Sequence, residues 1–365
     1  MDLINDFRDK EIILNLANLI KKNSQIPLNI MEICGGHTHS IMKFGIPELV
    51  GENINFIHGP GCPVCVMPKS ALDEAIKLAS MPNTVFCTLA DMMRVPGSTT
   101  SLQKLRAQGA DIRALYSPLD CIKIASQNAD KTVIFFAIGF ETTTPMSAVV
   151  IEKALNLGLK NLFFHINHVN VPAPVRAILD DKDVKIDAFL GPSHVSVITG
   201  SQIYESIAND YKKPIAVSGF EPVDILESIL NLVIQHKNKT YQVYNQYKRA
   251  VRKEGNLQAK AMIDKYFQIC DFSWRGLGVI KDSGFDLKPE FDAINAKKVF
   301  DCRVQSKGEN KACICGEILR GHKKPHDCKV FGRACNTQNP IGSCMVSSEG
   351  ACAAYYKYAR FRGLE

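Results

Sequence analysis

No apolar run in these 365 residues approaches the roughly 20 that a membrane span needs. The opening residues, MDLINDFRDKEIILNLANLIKKN, read as an acidic-start amphipathic helix without a cleavage site, so the expectation is a cytoplasmic protein, neither exported nor membrane-spanning. A G-x-x-x-x-G-K-S/T phosphate loop is missing, which leaves NTP hydrolysis weakly supported. Basic patches interleaved with aromatics are missing as well. The formal charge of +7 is scattered, densest from Tyr247 to Lys253, and argues for no nucleic acid partner. Nor is the chain short of core material: 46% hydrophobic against 22% charged residues is ordinary for a folded protein. Two or three domains of about 100–150 residues are expected at this length.

What the sequence does have is cysteine. Thirteen cysteines without a signal peptide point to metal ligation or thiol chemistry and away from a disulfide framework. Seven of them lie between Cys302 and Cys352.

From Ile54 to Leu226 a short β-rich run, a Gly, Pro or polar turn and a helical stretch alternate. Asn55–His58, Val85–Leu89, Val133–Ile138, Leu162–Ile166, Ala188–Leu190 and Ile215–Val217 are the β-rich runs. Such alternation predicts parallel α/β layers with ligand loops at the carboxyl ends of strands. A weak echo, Gly139-Phe140-Glu141 and Gly219-Phe220-Glu221, suits two related lobes. The expected division is 1–128 for the first α/β lobe, 129–230 for the second, and 231–365 for a helical linker and a C-terminal domain. Beyond Asp271 regular periodicity fades, which suits a small domain held by a metal centre.

Cys313, Cys315, Cys328, Cys335, Cys344 and Cys352 are separated by glycines and prolines that hold thiols on tight turns. An iron–sulfur cluster requires such thiolates. Zinc favours pairs of C-x₂₋₄-C knuckles, and the spacings after Cys328 are wider than that. A cubane uses only four ligands, and spacing alone does not choose them.

Two further motifs stand near the N-terminus. Cys34-Gly35-Gly36-His37-Thr38-His39 follows the β-like run Leu28–Ile33, and its glycines let a thiol, an imidazole and a hydroxyl converge. It reads as a metal site or as a thiolate activated by an imidazole. Gly59-Pro60-Gly61-Cys62-Pro63-Val64-Cys65 carries a C-x-x-C pair on a tight loop, more like a redox dithiol than half a zinc knuckle. Glu141-Thr142-Thr143-Thr144 suits a phosphate or metal at a helix start, or simply a cap. His165, His168 and His194 sit at strand ends as ordinary structural histidines, while Asp91, Arg94 and Glu349 are candidate charges beside the site.

With these motifs the chain resembles the HypD family of hydrogenase maturation factors almost end to end. Further carriers of the resemblance are Asp91-Met-Met-Arg-Val-Pro-Gly97, Gly139-Phe-Glu-Thr-Thr143, Gly219-Phe-Glu-Pro222, Trp274-Arg-Gly-Leu-Gly278 and Cys344-Met-Val-Ser-Ser-Glu-Gly-Ala-Cys352. The resemblance implies two Rossmann-like α/β lobes around a cleft plus a small C-terminal iron–sulfur domain. It implies a [4Fe–4S] cluster on Cys313, Cys328, Cys335 and Cys352, with Cys344 in reserve and Cys315 a bystander. The implied partners are HypC, with which the iron carrying carbon monoxide and two cyanides is held as a transient Fe(CN)₂CO unit, HypE as cyanide donor, and HypF indirectly. One departure is Cys335-Asn336-Thr337-Gln338-Asn339-Pro340, where the family more often has Thr-Pro after the cysteine.

The expected mechanism gives Cys34 to the second iron, with His37 orienting or deprotonating it. Cys62, Cys65 and the cluster exchange electrons, and Glu349 handles protons. Whether such an assembly scaffold counts as an enzyme is open. The rival is a ferredoxin-linked thiol/disulfide oxidoreductase that binds no second iron.

Overall fold

Strands form where β-branched and aromatic runs are bounded by Gly, Pro or polar turns. In the computed structural model, which describes residues 6–359, they are β1 (Leu28–Glu32), β2 (Ile54–His58), β3 (Thr84–Leu89), β4 (Asp111–Leu115), β5 (Thr132–Gly139), β6 (Leu162–Val169), β7 (Ala188–Pro192), β8 (Ile215–Ser218), β9 (Val243–Asn245), β10 (Phe267–Trp274) and β11 (Gly278–Leu287). The chain is an α/β protein with two mostly parallel sheets. One has the order β2-β1-β7-β8-β9 and is parallel throughout; the other has the order β10-β11-β6-β5-β3-β4, with β10 and β11 antiparallel to their neighbours. β5, with seven buried residues in eight, is a continuous apolar run because helices or packed chain cover both faces.

Each sheet draws strands from both sides of the 128/129 division expected from the sequence. The chain lays down β1 and β2, builds β3–β6 in the other sheet, returns for β7–β9, and goes back for β10 and β11. The sheets are therefore interleaved where contiguous lobes were expected, because β1 takes β7, not a sequence-local strand, as its inner neighbour. The 231–365 stretch likewise contributes strands to both sheets.

The largest core cluster joins the facing sides of both sheets, Met31 and Phe189 from one and Phe86 and Phe136 from the other. It continues into Cys315, Ile318, Cys335, Cys344 and Cys352, so the C-terminal turns pack on the same core. Two outer clusters cover the remaining faces. Helix Lys10–Asn23, capped by the Asp9 carboxylate accepting from the Ile12 amide at 2.9 Å, lays Ala17 and Ile20 inward. The basic stretch around Tyr247 is partly consumed internally. Arg249 binds buried Asp224 at 2.5 and 2.8 Å and stacks on Phe7 and Tyr247. Among the described residues no helix is long and apolar enough to cross a membrane.

Candidate thiol and metal centre

The strand ends of the all-parallel sheet carry the first two motifs. β1 runs into Cys34, which caps helix Gly35–Phe44, and β2 runs into Gly59-Pro60-Gly61 and Cys62, which caps the short helix Pro63–Val66. The Gly35 amide donates to the Gly61 carbonyl at 2.9 Å. Glycine is required at 61, because a Cβ there would overlap the Cys34 backbone. A Cβ on Gly35 would overlap Glu349, and one on Gly36 would strike the Phe220 ring. The Cys34 turn is thus enclosed by the second motif, the Cys344–Cys352 loop and the Gly219-Phe220-Glu221 turn.

Burial, reinforced by the Glu349 carboxylate, pushes the Cys34 thiol up to about 12, against which the Gly36 and His37 amides act. Glu349 is itself raised by burial and then by Asp91. The side chains of the C-G-G-H-T-H motif do not converge on the thiol. Successive helical residues point about 100° apart, so each finds its own partner. His37 Nε2 donates toward the Ser218 and Gly219 carbonyls, 3.0 Å from each, which leaves Nδ1 as a buried lone pair without a partner. Burial lowers its pKa to about 4, so it is a neutral imidazole. The Thr38 hydroxyl donates to buried Glu32, and His39 reaches the Ser348 carbonyl and the Tyr358 hydroxyl. Phe220 stacks between His37 and His194, at centroid distances of 4.8 and 4.4 Å.

Behind the turn lies a network that sequence reading missed. Glu32 Oε1 takes Thr38 and His58 Nδ1, the latter at 2.6 Å, and His58 Nε2 meets the Tyr355 hydroxyl at 3.0 Å. Only the position of Glu32 two residues before Cys34 could have hinted at it.

From Cys62 a series of thiols runs through the core. Cys62 Sγ accepts from the Cys65 amide at 3.2 Å, and burial together with the neighbouring Cys344 and Cys62 thiols holds the Cys65 thiol well above the ordinary cysteine range. The neighbouring Cys315 and Cys65 side chains lower the Cys344 thiol to about 6 despite full burial. Cys315 lies 3.2 Å from Cys313, and its side chain, ahead of burial, also raises the Cys352 thiol. Cys315, which the resemblance left as a bystander, is the thiol that neighbours Cys313, Cys344 and Cys352. Cys335 accepts from the Ile341 amide at 3.3 Å, while Cys328 lies at the exposed side beside the Ala312 carbonyl. All thirteen cysteines are free.

The donor set suits an iron–sulfur cluster. The thiols are soft sulfur donors, the Ile341 amide already donates to Cys335, and the Gly342 backbone packs against Cys313 and Cys315, where a Cβ would come within 2.6 Å of both sulfurs. Trp274-Arg-Gly-Leu-Gly278 supports the region: Gly276 abuts Gly316, and Arg275 reaches the Met67 carbonyl at 2.9 Å and Glu309 at 2.6 Å.

The other singled-out residues have internal roles. Glu141 accepts from the Val171 amide at 3.1 Å, and the Thr143 and Thr144 hydroxyls turn back onto the Phe140 carbonyl. His168 bonds Ser147 at 2.8 Å, and Arg94 donates to the Thr337 carbonyl.

A buried C-x-x-C pair leading through further thiols to a cysteine-rich turn region, on an α/β body, is a candidate thiol and metal centre. A family model described as HypD, Hydrogenase formation hypA family, matches residues 10–359. The chain is 48% identical to hydrogenase maturation factor HypD2 of Bradyrhizobium diazoefficiens, covering 99% of this chain and 98% of that protein. It is 48% identical to HypD of Azotobacter vinelandii over the same shares, and 43% identical to HypD of Escherichia coli strain K12 over 98% of each. The chain belongs to the HypD family of hydrogenase maturation factors.

Proposed function

We propose that this cytoplasmic maturation factor, together with HypC, holds the iron on which the Fe(CN)₂CO unit is assembled, with Cys34 as a thiolate ligand to that substrate iron. The observation that carries the reading is the arrangement of Cys34: enclosed, apart from the thiol series, yet one hydrogen bond from the loop that begins it. A soft thiolate suits an electron-rich iron carrying cyanide and carbon monoxide. Iron binding displaces the thiol proton that burial otherwise retains, and Glu349, raised above the usual carboxylate range, is the neighbouring group able to receive it. The His37 backbone amide bears on the sulfur and favours the thiolate, while its buried neutral ring is held by the Ser218 and Gly219 carbonyls.

Cys62 and Cys65 act as a dithiol that gives up two electrons and two protons on closing to a disulfide. Cys344 and Cys315 continue the route. Cys313, Cys328, Cys335 and Cys352 are the ligands we assign to a [4Fe–4S] cluster, which when bound supplies single electrons. Cyanide comes from HypE, loaded through HypF.

The test is infrared spectroscopy of the anaerobically purified complex with HypC. Cys34→Ala is expected to keep the cluster absorption and lose the cyanide and carbonyl bands. Bands at full strength in that variant would remove Cys34 from the iron. Bands absent from the unsubstituted complex would favour a thiol/disulfide oxidoreductase without a second iron.

A further inference from the structure

One cluster of ligand-type side chains is left unused by the thiol centre. Glu74 on helix Lys69–Ala79, His165 within β6 and Cys302 in the segment after Phe300 each direct one ligand atom to a common point, all three within 4.8 Å of one another. His165 Nε2 and Glu74 Oε2 are 3.1 Å apart. Two ligands each about 2.0–2.1 Å from a tetrahedral zinc ion stand roughly 3.3 Å apart, so this pair needs to open only slightly.

We infer that Glu74, His165 and Cys302 bind one Zn²⁺ ion, with water in the fourth position. A thiolate and a carboxylate balance the dication, and imidazole completes a nitrogen, sulfur and oxygen set that zinc accepts readily. The His165 and Cys302 side chains are buried, whereas Glu74 is 22% exposed. Entry of the ion and the water position therefore lie on the Glu74 side. The ring is fixed from behind by the Asn167 amide, 2.7 Å from Nδ1. With zinc on Nε2 the ring proton moves to Nδ1, and Asn167 turns its oxygen to accept it. In the empty site burial keeps the Cys302 thiol protonated, and Glu74 adds to that effect; Lys297 favours the thiolate. Zinc replaces that proton.

The site has a structural consequence. Cys302 begins the segment without helix or strand that leads to Cys313. Lys77 pairs with Asp301 at 3.2 Å, Ser306 donates to Asp73, and Lys69 donates to the Gly308 carbonyl at 3.0 Å. Zinc would fasten the start of this segment to β6, deep in the six-stranded sheet. The polar contacts farther along already fix it to helix Lys69–Ala79.

Full-length, cluster-loaded protein purified anaerobically and freed of loose metal is expected to retain about one zinc per chain. Cys302→Ser should lose that zinc with its iron content unchanged. Glu74→Gln, on the exposed side and least disturbing to folding, should weaken zinc affinity roughly tenfold or more in competition with a chromophoric chelator. Cobalt in place of zinc should give thiolate-to-metal charge-transfer and intense visible bands of a four-coordinate ion. If Cys302→Ser fails to fold, the Glu74→Gln affinity decides. Zinc absent from the unsubstituted protein even after incubation with zinc salt overturns the inference. Zinc held equally tightly by Glu74→Gln, or kept by a folded Cys302→Ser, also overturns it and assigns the ion to other cysteines.

Discussion

Glu349 occupies the space that a side chain on Gly35 would need, so the loop after Cys344 and the turn after Cys34 are fitted together without spare volume. Backbone atoms of Glu349 take part in this contact, so the loop cannot yield by a rotamer change alone. Gly35→Ala is expected to lift the 347–350 loop off Cys34 while leaving both sheets intact. Cys34 should then be alkylated faster by a small neutral reagent, by roughly tenfold, since reaction rate follows access as well as thiolate character. An unchanged rate, read by mass spectrometry of the Cys34 peptide, would mean that Glu349 does not cover the thiol.

Cys65 stands between Cys62 and Cys344 in the thiol series and links them. Mild oxidation should remove two thiols and place Cys65 in a disulfide with Cys62 or Cys344. Cys344→Ser should restrict the product to Cys62–Cys65. Peptide mapping checks the pairing, and a product lacking Cys65 would break the proposed route.

Arg275 is buried and ties the Cys62–Cys65 loop to the segment before Cys313 through Met67 and Glu309. Arg275→Ala should cost about 2–3 kcal/mol, because it strands a buried carbonyl and removes a charge-assisted bond. Arg275→Lys should recover only part, since an ammonium lacks the planar fork. Urea unfolding of cluster-loaded protein measures both.

Two buried groups near the ends of β5 and β6 titrate with opposite effects on stability. Burial raises Glu141 from 4.5 to about 7 and lowers His168 from 6.5 to about 4. The stability that Glu141 contributes is present below about 4.5 and is lost as pH rises through about 7. That of His168 is present above about 6.5 and is lost as pH falls toward 4. Glu141→Gln keeps an oxygen for the Val171 amide and removes the buried charge. It should therefore stabilise the protein at pH 8 by on the order of 1–3 kcal/mol and much less at pH 5. Urea midpoints at the two pH values provide the comparison, and equal differences at both would show that Glu141 has an ordinary pKa.

Strands such as β2, β3 and β5 were legible because each is a short β-rich run stopped by Gly, Pro or Asp. β4, Asp111–Leu115, was not, since this edge strand is short, charged and half exposed. The β10–β11 hairpin was hidden by its exposed residues and by the irregular register between Cys270 and Phe272. The cysteines announced a metal or thiol centre by their number and turns. Their order in space did not follow, because spacing along a chain carries no information about Cys65 meeting Cys344. The C-G-G-H-T-H motif was recognisable, but its side-chain directions depended on a helix starting at Gly35. Beyond the position of Glu32 two residues before Cys34, the Glu32–His58–Tyr355 network gave no signal, since three distant elements leave no local pattern.

Interleaving of the two sheets fixes an order of events during synthesis. β1 leaves the ribosome early, but its inner neighbour β7 begins only at Ala188, after four strands of the other sheet have been made. The first two strands must wait with one side of β1 unpaired, a role in which a chaperone or the emerging six-stranded sheet can shield them. The thiol series spans Cys62 to Cys352, so its members meet only when nearly the whole chain is out. Completion of the proposed centre is thereby tied to completed translation: a polypeptide stopped before Cys344 lacks both Cys344 and Cys352, so neither the route from Cys65 nor the full set of C-terminal thiols is in place.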